Sequence, residues 1–109
     1  MNPLEILHYL TASGTDPYQS WLNALKDIKG RIAIQRRVDR IERENFGDHK
    51  FCQEGVWELR IDFGPGYRVY YALEGKNVVL LLCGGSKRNQ SADIKKAVRY
   101  RRDYERRKQ

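Results

Sequence analysis

The strongest constraint on the fold is the segment of residues 58–85, in which two alternating stretches flank a glycine-containing turn. Apolar and polar side chains alternate before and after Gly64-Pro65-Gly66. This pattern predicts two strands joined as an antiparallel hairpin. We expect a three-residue turn, which would pair Phe63 with Tyr67 and thereby set the register of both strands.

With that register, Asp62 lies opposite Arg68, and Arg60 lies opposite Tyr70. These four residues share one face, because successive side chains of a strand point to opposite faces. Two arginines and a tyrosine on a rigid face form a surface suited to phosphate, while a cross-strand ion pair between Arg68 and Asp62 without any chemistry is the alternative. The other face is apolar and predicts a core row: Trp57, Leu59, Ile61, Phe63, Val69 and Tyr71.

Upstream of the hairpin, the sequence predicts one strand and two helices. A short strand is expected over Asn2–Leu10. Asp16 followed by proline is typical of a helix start, and we expect this helix to end at Gly30. A second helix is expected from Arg31 to about Asn45, so the two helices form a hairpin that covers the core row.

Downstream, the sequence predicts one more strand and a basic helix. Residues 46–55 are expected to be a loop, and Val78–Cys83 a strand that is apolar on both sides. The helix from about Asn89 has a thin apolar stripe, so we expect it to dock weakly and to leave the arginine face open. The predicted fold class is α+β: one domain, residues 1–109, in which a small antiparallel sheet carries an N-terminal helical hairpin on one face and a C-terminal basic helix.

The positive charge is concentrated at the C-terminal end. Residues 86–109 contain ten Lys or Arg and three acids, which accounts for the whole net charge of +7. Such a segment indicates a polyanion partner, although a solvated helix face is the plain alternative. The candidate RNA-binding residues of this segment are Arg88, Lys95, Lys96, Arg99, Arg101 and Arg102, and Arg106 and Arg107 extend the same helix.

Composition also limits the compartment and the chemistry. No apolar run approaches the roughly 20 residues that span a bilayer, and the first ten residues contain no basic cluster, so we expect a cytoplasmic protein without a signal peptide. Cys52 and Cys83 lie outside any C-x-x-C spacing and beside no histidine cluster. Two free cysteines are therefore expected and a metal site is not, while a disulfide stays open as an alternative.

Six motifs then point to one family. They are W-L-x-x-L at Trp21–Leu25, R-I-x-R at Arg40–Arg43, N-F-G-D-x-K at Asn45–Lys50, E-L-R-I-D-F-G-P-G-Y-R-V-Y-Y at Glu58–Tyr71, L-L-L-C-G-G-S-K at Leu80–Lys87 and Q-x-x-D-I at Gln90–Ile94. With these motifs the chain resembles the RelE/ParE superfamily of toxins from bacterial type II toxin–antitoxin modules. It is most similar to the HigB-like, phage-derived branch often labelled addiction-module killer proteins.

The resemblance implies a toxin that cuts mRNA in the ribosomal A site and is held inactive by a cognate antitoxin. The implied chemistry uses no metal and no cofactor: the RNA 2′-hydroxyl attacks the adjacent phosphate, which requires a base, cations and an acid. By motif position, Arg60, Arg68 and Lys87 match the family's catalytic cations. Lys50 matches a loop lysine that contacts RNA.

The chain departs from that family at the base. Many ribosome-dependent members carry a tyrosine or histidine shortly after the last strand, where this chain has Gln90 and Ser91. The residues left as base or orienting group are Lys87, His49, Asp62 and Tyr70. Besides the endonuclease, two functions therefore stay open: a related toxin that inhibits a protein such as DNA gyrase, and a non-toxic nucleic-acid-binding module.

Overall fold

A computed structural model of the protein describes residues 3–108, which form a five-stranded mixed sheet with helices on both faces. The elements are β1 (Glu5–His8), α1 (Pro17–Ala24), α2 (Ile28–Ile41), β2 (His49–Gln53), β3 (Val56–Ile61), β4 (Tyr67–Glu74), β5 (Val78–Ser86), a 3₁₀ turn (Lys87–Asn89) and α3 (Gln90–Lys108). The strand order in the sheet is β1-β5-β4-β3-β2. The predicted α+β class is confirmed.

The β3–β4 hairpin forms, but its turn is longer than predicted. Ile61, not Phe63, pairs with Tyr67. The amide of Gly66 donates to the Phe63 carbonyl at 3.0 Å, and Gly64 and Gly66 both have positive φ, which glycine adopts without strain. The register therefore differs from the prediction by two residues. An even shift keeps the side chains that remain in the two strands on their predicted faces. Arg60 and Arg68 now lie directly opposite each other.

Two aspartate caps place the N-terminal helices. The Asp16 carboxylate accepts from the Gln19 amide at 3.0 Å, which confirms the predicted helix start. The predicted end at Gly30 is wrong, because α1 already ends at Ala24 and Asp27 caps α2. The Asp27 carboxylate accepts from the Gly30 amide at 2.9 Å, so this glycine lies in the first turn of α2.

The helical hairpin covers one face of the sheet, as predicted. Tyr18 and Leu22 of α1 and Ile34, Val38 and Ile41 of α2 form one buried cluster with the apolar row of the strands. The strand residues of this cluster are Leu59, Ile61, Tyr67, Val69, Tyr71, Val79 and Leu81, and Trp21, Leu25 and Trp57 pack against it. Phe63 was expected in this row and instead lies in the turn, 37% exposed.

The other face is covered by α3, which the sequence did not predict. A second buried cluster joins Ala97 and Val98 of α3 to strand residues that include Tyr70, Leu80 and Leu82. Tyr70 is 0% exposed, so it is not part of an open surface. The expectation that α3 docks weakly was wrong, because small side chains let the helix approach the sheet and the strands supply most of the apolar area.

The two edge strands also differ from the prediction. β1 pairs with β5 in parallel, which makes the sheet mixed. The strands β3, β4 and β5 pair antiparallel as expected, and β2 adds an antiparallel edge strand beside β3. The predicted first strand began at Asn2, which lies outside the described residues. β2 was predicted to be loop, because residues 49–53 are nearly all exposed and show no apolar alternation. Within residues 3–108, no helix is long and apolar enough to cross a membrane.

Candidate functional site

The β3–β4 turn and the end of β5 enclose a cavity of about 230 Å³, which we call the cationic cavity. It brings together the three predicted catalytic cations: Arg60 from β3, Arg68 from β4 and Lys87 from the turn after β5. The remaining lining residues are Asp48, Ile61, Asp62 and Gly66. Three cations from three chain segments therefore converge around one space.

Arg60 is held by an acid that the sequence did not single out. Its Nε and Nη2 atoms donate to Asp48 Oδ1 at 3.1 and 2.8 Å. This pair raises the pKa of Arg60, and the hydrogen bond from Arg60 holds the pKa of the Asp48 carboxyl below its usual range. Like charges directly opposite on neighbouring strands repel, so the Asp48 carboxylate stabilises Arg60 in its position opposite Arg68.

Arg68 forms an ion pair with the buried carboxylate of Glu58 and not with Asp62. Glu58 is 1% exposed, and its Oε2 atom lies 3.5 Å from Nε of Arg68, which is 9% exposed. Asp62 lies beyond the end of β3 and Arg60 takes the position opposite Arg68, so the predicted cross-strand placement of Asp62 opposite Arg68 is wrong. The side-chain amide of Gln90 donates to both carboxylate oxygens of Glu58, at 2.9 and 3.2 Å. A three-residue chain from α3 to β4 therefore fixes the position of the Arg68 guanidinium.

The Arg68–Glu58 contact is electrostatic without being a hydrogen bond. Nε of Arg68 is buried, and it meets no acceptor in hydrogen-bond geometry among residues 3–108. Buried polar groups in proteins nearly always have a partner, so an unpartnered one calls for an explanation. A guanidinium with an unused donor has the chemistry to bind an oxyanion, since arginine donates two parallel hydrogen bonds to carboxylate or phosphate groups.

Arg37 of α2 holds the wall of the cationic cavity. Its Nη1 atom donates to the Arg60 carbonyl at 2.6 Å, and its Nη2 atom donates to the carbonyls of Phe46 and Asp48 at 2.9 and 3.2 Å. The Asp48 carbonyl also accepts from the Arg60 amide at 2.9 Å. One guanidinium thus connects the helix, the loop before β2 and the end of β3. Nothing in the sequence pattern distinguished Arg37 from its basic neighbours.

Lys87 is placed by the turn that follows β5. Its backbone amide donates to the Gly66 carbonyl at 2.8 Å, which ties the end of β5 to the β3–β4 turn. Gly84 and Gly85, which precede Lys87, both lie inside β5. A Cβ atom on Gly84 would lie 2.2 Å from the Trp21 ring, and one on Gly85 would lie 1.9 Å from the Asp93 carboxylate. These glycines therefore make room for side chains of α1 and α3.

The other candidates for base or orienting group lie outside the cationic cavity, apart from Asp62. Tyr70 is buried under α3, and burial raises the pKa of its hydroxyl far above neutrality. Nδ1 of His49 lies 2.8 Å from the Gly47 carbonyl, and the imidazole packs on the rings of Phe46 and Trp57. Lys50 lines a neighbouring cavity of about 180 Å³, together with Glu58 and Gln90.

The basic tail, which we define as residues 86–108, is paired with acids mainly in the second half of α3. Arg101 lies 3.6 Å from both Glu74 and Glu105, and Arg102 pairs with Glu54. Arg106 and Arg107 both pair with Asp103, at 3.2 and 2.8 Å. In the first half of α3, Lys95, Lys96 and Arg99 are exposed and form no ion pair within the described part of the chain. Sequence charge alone thus overstated the cationic surface of the tail.

The two thiols are free and unsuited to nucleophilic chemistry. Burial raises the pKa of Cys83 to about 12 and that of Cys52 to about 11. Both therefore stay protonated near neutral pH. The described residues also contain no group of three His, Cys, Asp or Glu side chains that could hold a metal ion.

Fold and cavity together define an α+β protein with a cation-lined cavity at one end of its sheet. The family described as phage derived protein Gp49-like matches residues 20–105, and the chain belongs to this family, which is of the RelE/ParE-like toxin type. A relative from Haemophilus influenzae is 46% identical over 80 residues, which are 73% of this chain and 81% of that protein. That relative is described as an uncharacterized protein.

Proposed function

We propose that this protein is the toxin of a type II toxin–antitoxin module, of the HigB-like branch, and that it is a metal-independent endoribonuclease. Its substrate is mRNA on the ribosome, and its natural inhibitor is a cognate antitoxin. The observation that carries the proposal is the convergence of Arg60, Arg68 and Lys87 on one cavity. Family membership supports the toxin type, and the cavity supports the chemistry.

The proposed reaction uses the charged groups that line the cavity. The RNA 2′-oxygen forms a bond to phosphorus while the bond from phosphorus to the 5′-oxygen breaks, which gives a 2′,3′-cyclic phosphate and a free 5′-hydroxyl. Arg60 and Arg68 stabilise the extra negative charge that develops on the phosphoryl oxygens. Lys87 donates the proton that the leaving 5′-oxygen takes up.

The proton from the 2′-hydroxyl needs an acceptor in the same place. Asp62 lines the cationic cavity and forms no ion pair with any residue from 3 to 108, so its carboxylate is available as the base. Asp48 is a poorer base, because its hydrogen bond from Arg60 holds its pKa below the usual range. His49 and Tyr70 take no part, since neither lines the cavity.

Lys87→Gln is the cleanest test, because Lys87 is exposed and its removal leaves the core intact. A pulse of wild-type expression should stop growth and create new mRNA 5′ ends inside translated codons within minutes. The variant should lose this cleavage by about 10²–10³-fold, the usual effect of removing one transition-state charge contact. Mapping of transcript 5′ ends measures both.

Lys76→Gln is the matched control, since Lys76 is an exposed lysine in the turn between β4 and β5, outside the cationic cavity. It should cleave like the wild type. Full activity of Lys87→Gln would overturn the role of Lys87. Growth arrest with unchanged mRNA ends and altered DNA supercoiling would refute the nuclease activity and favour inhibition of DNA gyrase.

A further inference from the structure

A second and larger concavity, of about 640 Å³, lies along α2; we call it the α2 groove. Its lining is mainly basic and apolar and includes Lys29, Ile32, Arg36, Arg37, Arg40 and Phe63. The groove and the cationic cavity share Ile61 and Asp62 as lining residues. The two concavities therefore meet at the end of β3, and a single extended ligand can occupy both.

Like the first half of α3, the groove carries exposed cations. Lys29, Arg36 and Arg40 are exposed and lie at spacings of seven and four residues, which places them along one side of α2. None of them forms an ion pair within residues 3–108. The arginines in the second half of α3, by contrast, are paired with acids. Arg37 is also unavailable, because three backbone carbonyls already occupy its guanidinium.

Exposed apolar side chains lie among these cations. Ile32 is 44% exposed, and Phe63 is 37% exposed at the tip of the β3–β4 turn. A positively charged groove that also presents an aromatic face is the combination by which proteins bind single-stranded nucleic acid, since the cations contact phosphates and the ring stacks on a base. Phe63 lies immediately after Asp62, at the junction of the two concavities.

We infer that the α2 groove binds the stretch of single-stranded RNA that flanks the phosphate in the cationic cavity. Lys29, Arg36 and Arg40 contact its phosphates, and a base stacks on Phe63. This inference rests on the proposed function, because it assigns a path to the substrate of that site. The hydrogen bonds from Arg37 to the backbone carbonyls keep the groove and the cavity in a fixed relation. A strand bound in the groove therefore presents its next phosphate to the cavity.

The test uses RNA that cannot be cleaved, with 2′-O-methyl groups at every position, and the full-length protein. Affinity for a fluorescently labelled oligonucleotide is measured by anisotropy over a range of salt concentrations. Arg36→Gln/Arg40→Gln should weaken binding and flatten the salt dependence by roughly 1.4, since each phosphate contact contributes about 0.7 for single strands. Phe63→Ala should weaken binding by about 5- to 150-fold, the loss expected for one stacked base.

The matched control is Arg102→Gln/Arg106→Gln, which removes the same charge from two exposed arginines that are already paired with acids. It should leave affinity and salt slope close to wild type. Groove variants that bind like the wild type would overturn the inference, as would a wild-type protein that binds no RNA. Variants that bind RNA normally but lose an acidic protein inhibitor would show a protein in the groove, which also overturns it.

The outcome is separable from that of the proposed function. If the groove variants lose binding but wild-type protein never cleaves unmodified mRNA, the RNA-binding role of the groove is supported and the nuclease activity is refuted. If wild-type protein cleaves mRNA and the groove variants bind and cleave equally well, the nuclease activity is supported and the RNA-binding role of the groove is refuted.

Discussion

Replacement of Glu58 by glutamine should show how strongly the cationic cavity depends on its buried acid. The substitution keeps the size of the side chain and removes its charge beneath Arg68, which lies 3.5 Å away and is 9% exposed. Breaking a buried ion pair from one side typically costs about 3–5 kcal/mol, because the other charge is left buried without compensation. That is a large part of the roughly 5–15 kcal/mol that stabilises an ordinary domain.

Urea denaturation measures this loss directly. With a slope of about 2 kcal/mol per molar urea, typical of a small protein, the midpoint of Glu58→Gln should fall by roughly 1.5–2.5 M. Glu5→Gln is the matched control, because Glu5 is an exposed glutamate on a strand, and it should change the free energy of unfolding by less than about 0.5 kcal/mol.

Two outcomes would refute this reasoning. The first is a loss below about 1 kcal/mol in Glu58→Gln, which would mean that Arg68 does not depend on the charge of Glu58. The second concerns the double variant Glu58→Gln/Arg68→Gln, which removes both charges. It should be less destabilised than the sum of the two single variants, with a coupling of about 0.5–3 kcal/mol. Strict additivity would show that the pair contributes nothing as a pair.

Two further predictions concern Gly84 of β5 and Asp93 of α3. Gly84→Ala should lower the free energy of unfolding by about 1–3 kcal/mol, because its methyl group would collide with the Trp21 ring, and an unchanged melting curve would contradict this packing. Burial raises the pKa of Asp93 in the folded protein, so the unfolded chain loses this proton first and wild-type stability should fall as pH rises from about 4 through the raised pKa. Asp93→Asn should remove this part of the decrease and be at least as stable as wild type at pH 7; urea titrations at pH 4 and pH 7 would contradict it if the variant were clearly less stable at pH 7.

The sequence predicted those features of the fold that local rules control. Asp16 and its proline mark the first helix because a capping carboxylate needs only its neighbours. The apolar row that ends at Ile61 follows from the period of a strand. The second core cluster was missed, because Ala97 and Val98 form a thin stripe whose burial depends on strands far away in the chain.

The same distinction holds for the candidate site. Arg60, Arg68 and Lys87 were found through a family resemblance and the alternation of the strands. Their partners Asp48, Glu58 and Gln90 were missed as partners because the contacts join residues 12, 10 and 32 positions apart across different elements. The residue spacing carries no signal for such contacts. The ion pairs of the basic tail were unpredictable for the same reason, because a count of charges does not reveal that Arg102 has Glu54 as its partner.

Adjacent arginines on α2 have opposite relations to the rest of the protein. Arg37 points inward and fixes three backbone carbonyls, a task that only the planar, branched guanidinium performs and that a lysine would not. Arg36 is exposed and does not hold these carbonyls. The outer side of α2 is therefore free to diverge in sequence without moving Asp48 or Arg60. Substitutions on this side of the helix can alter what the α2 groove binds while leaving the cationic cavity in place.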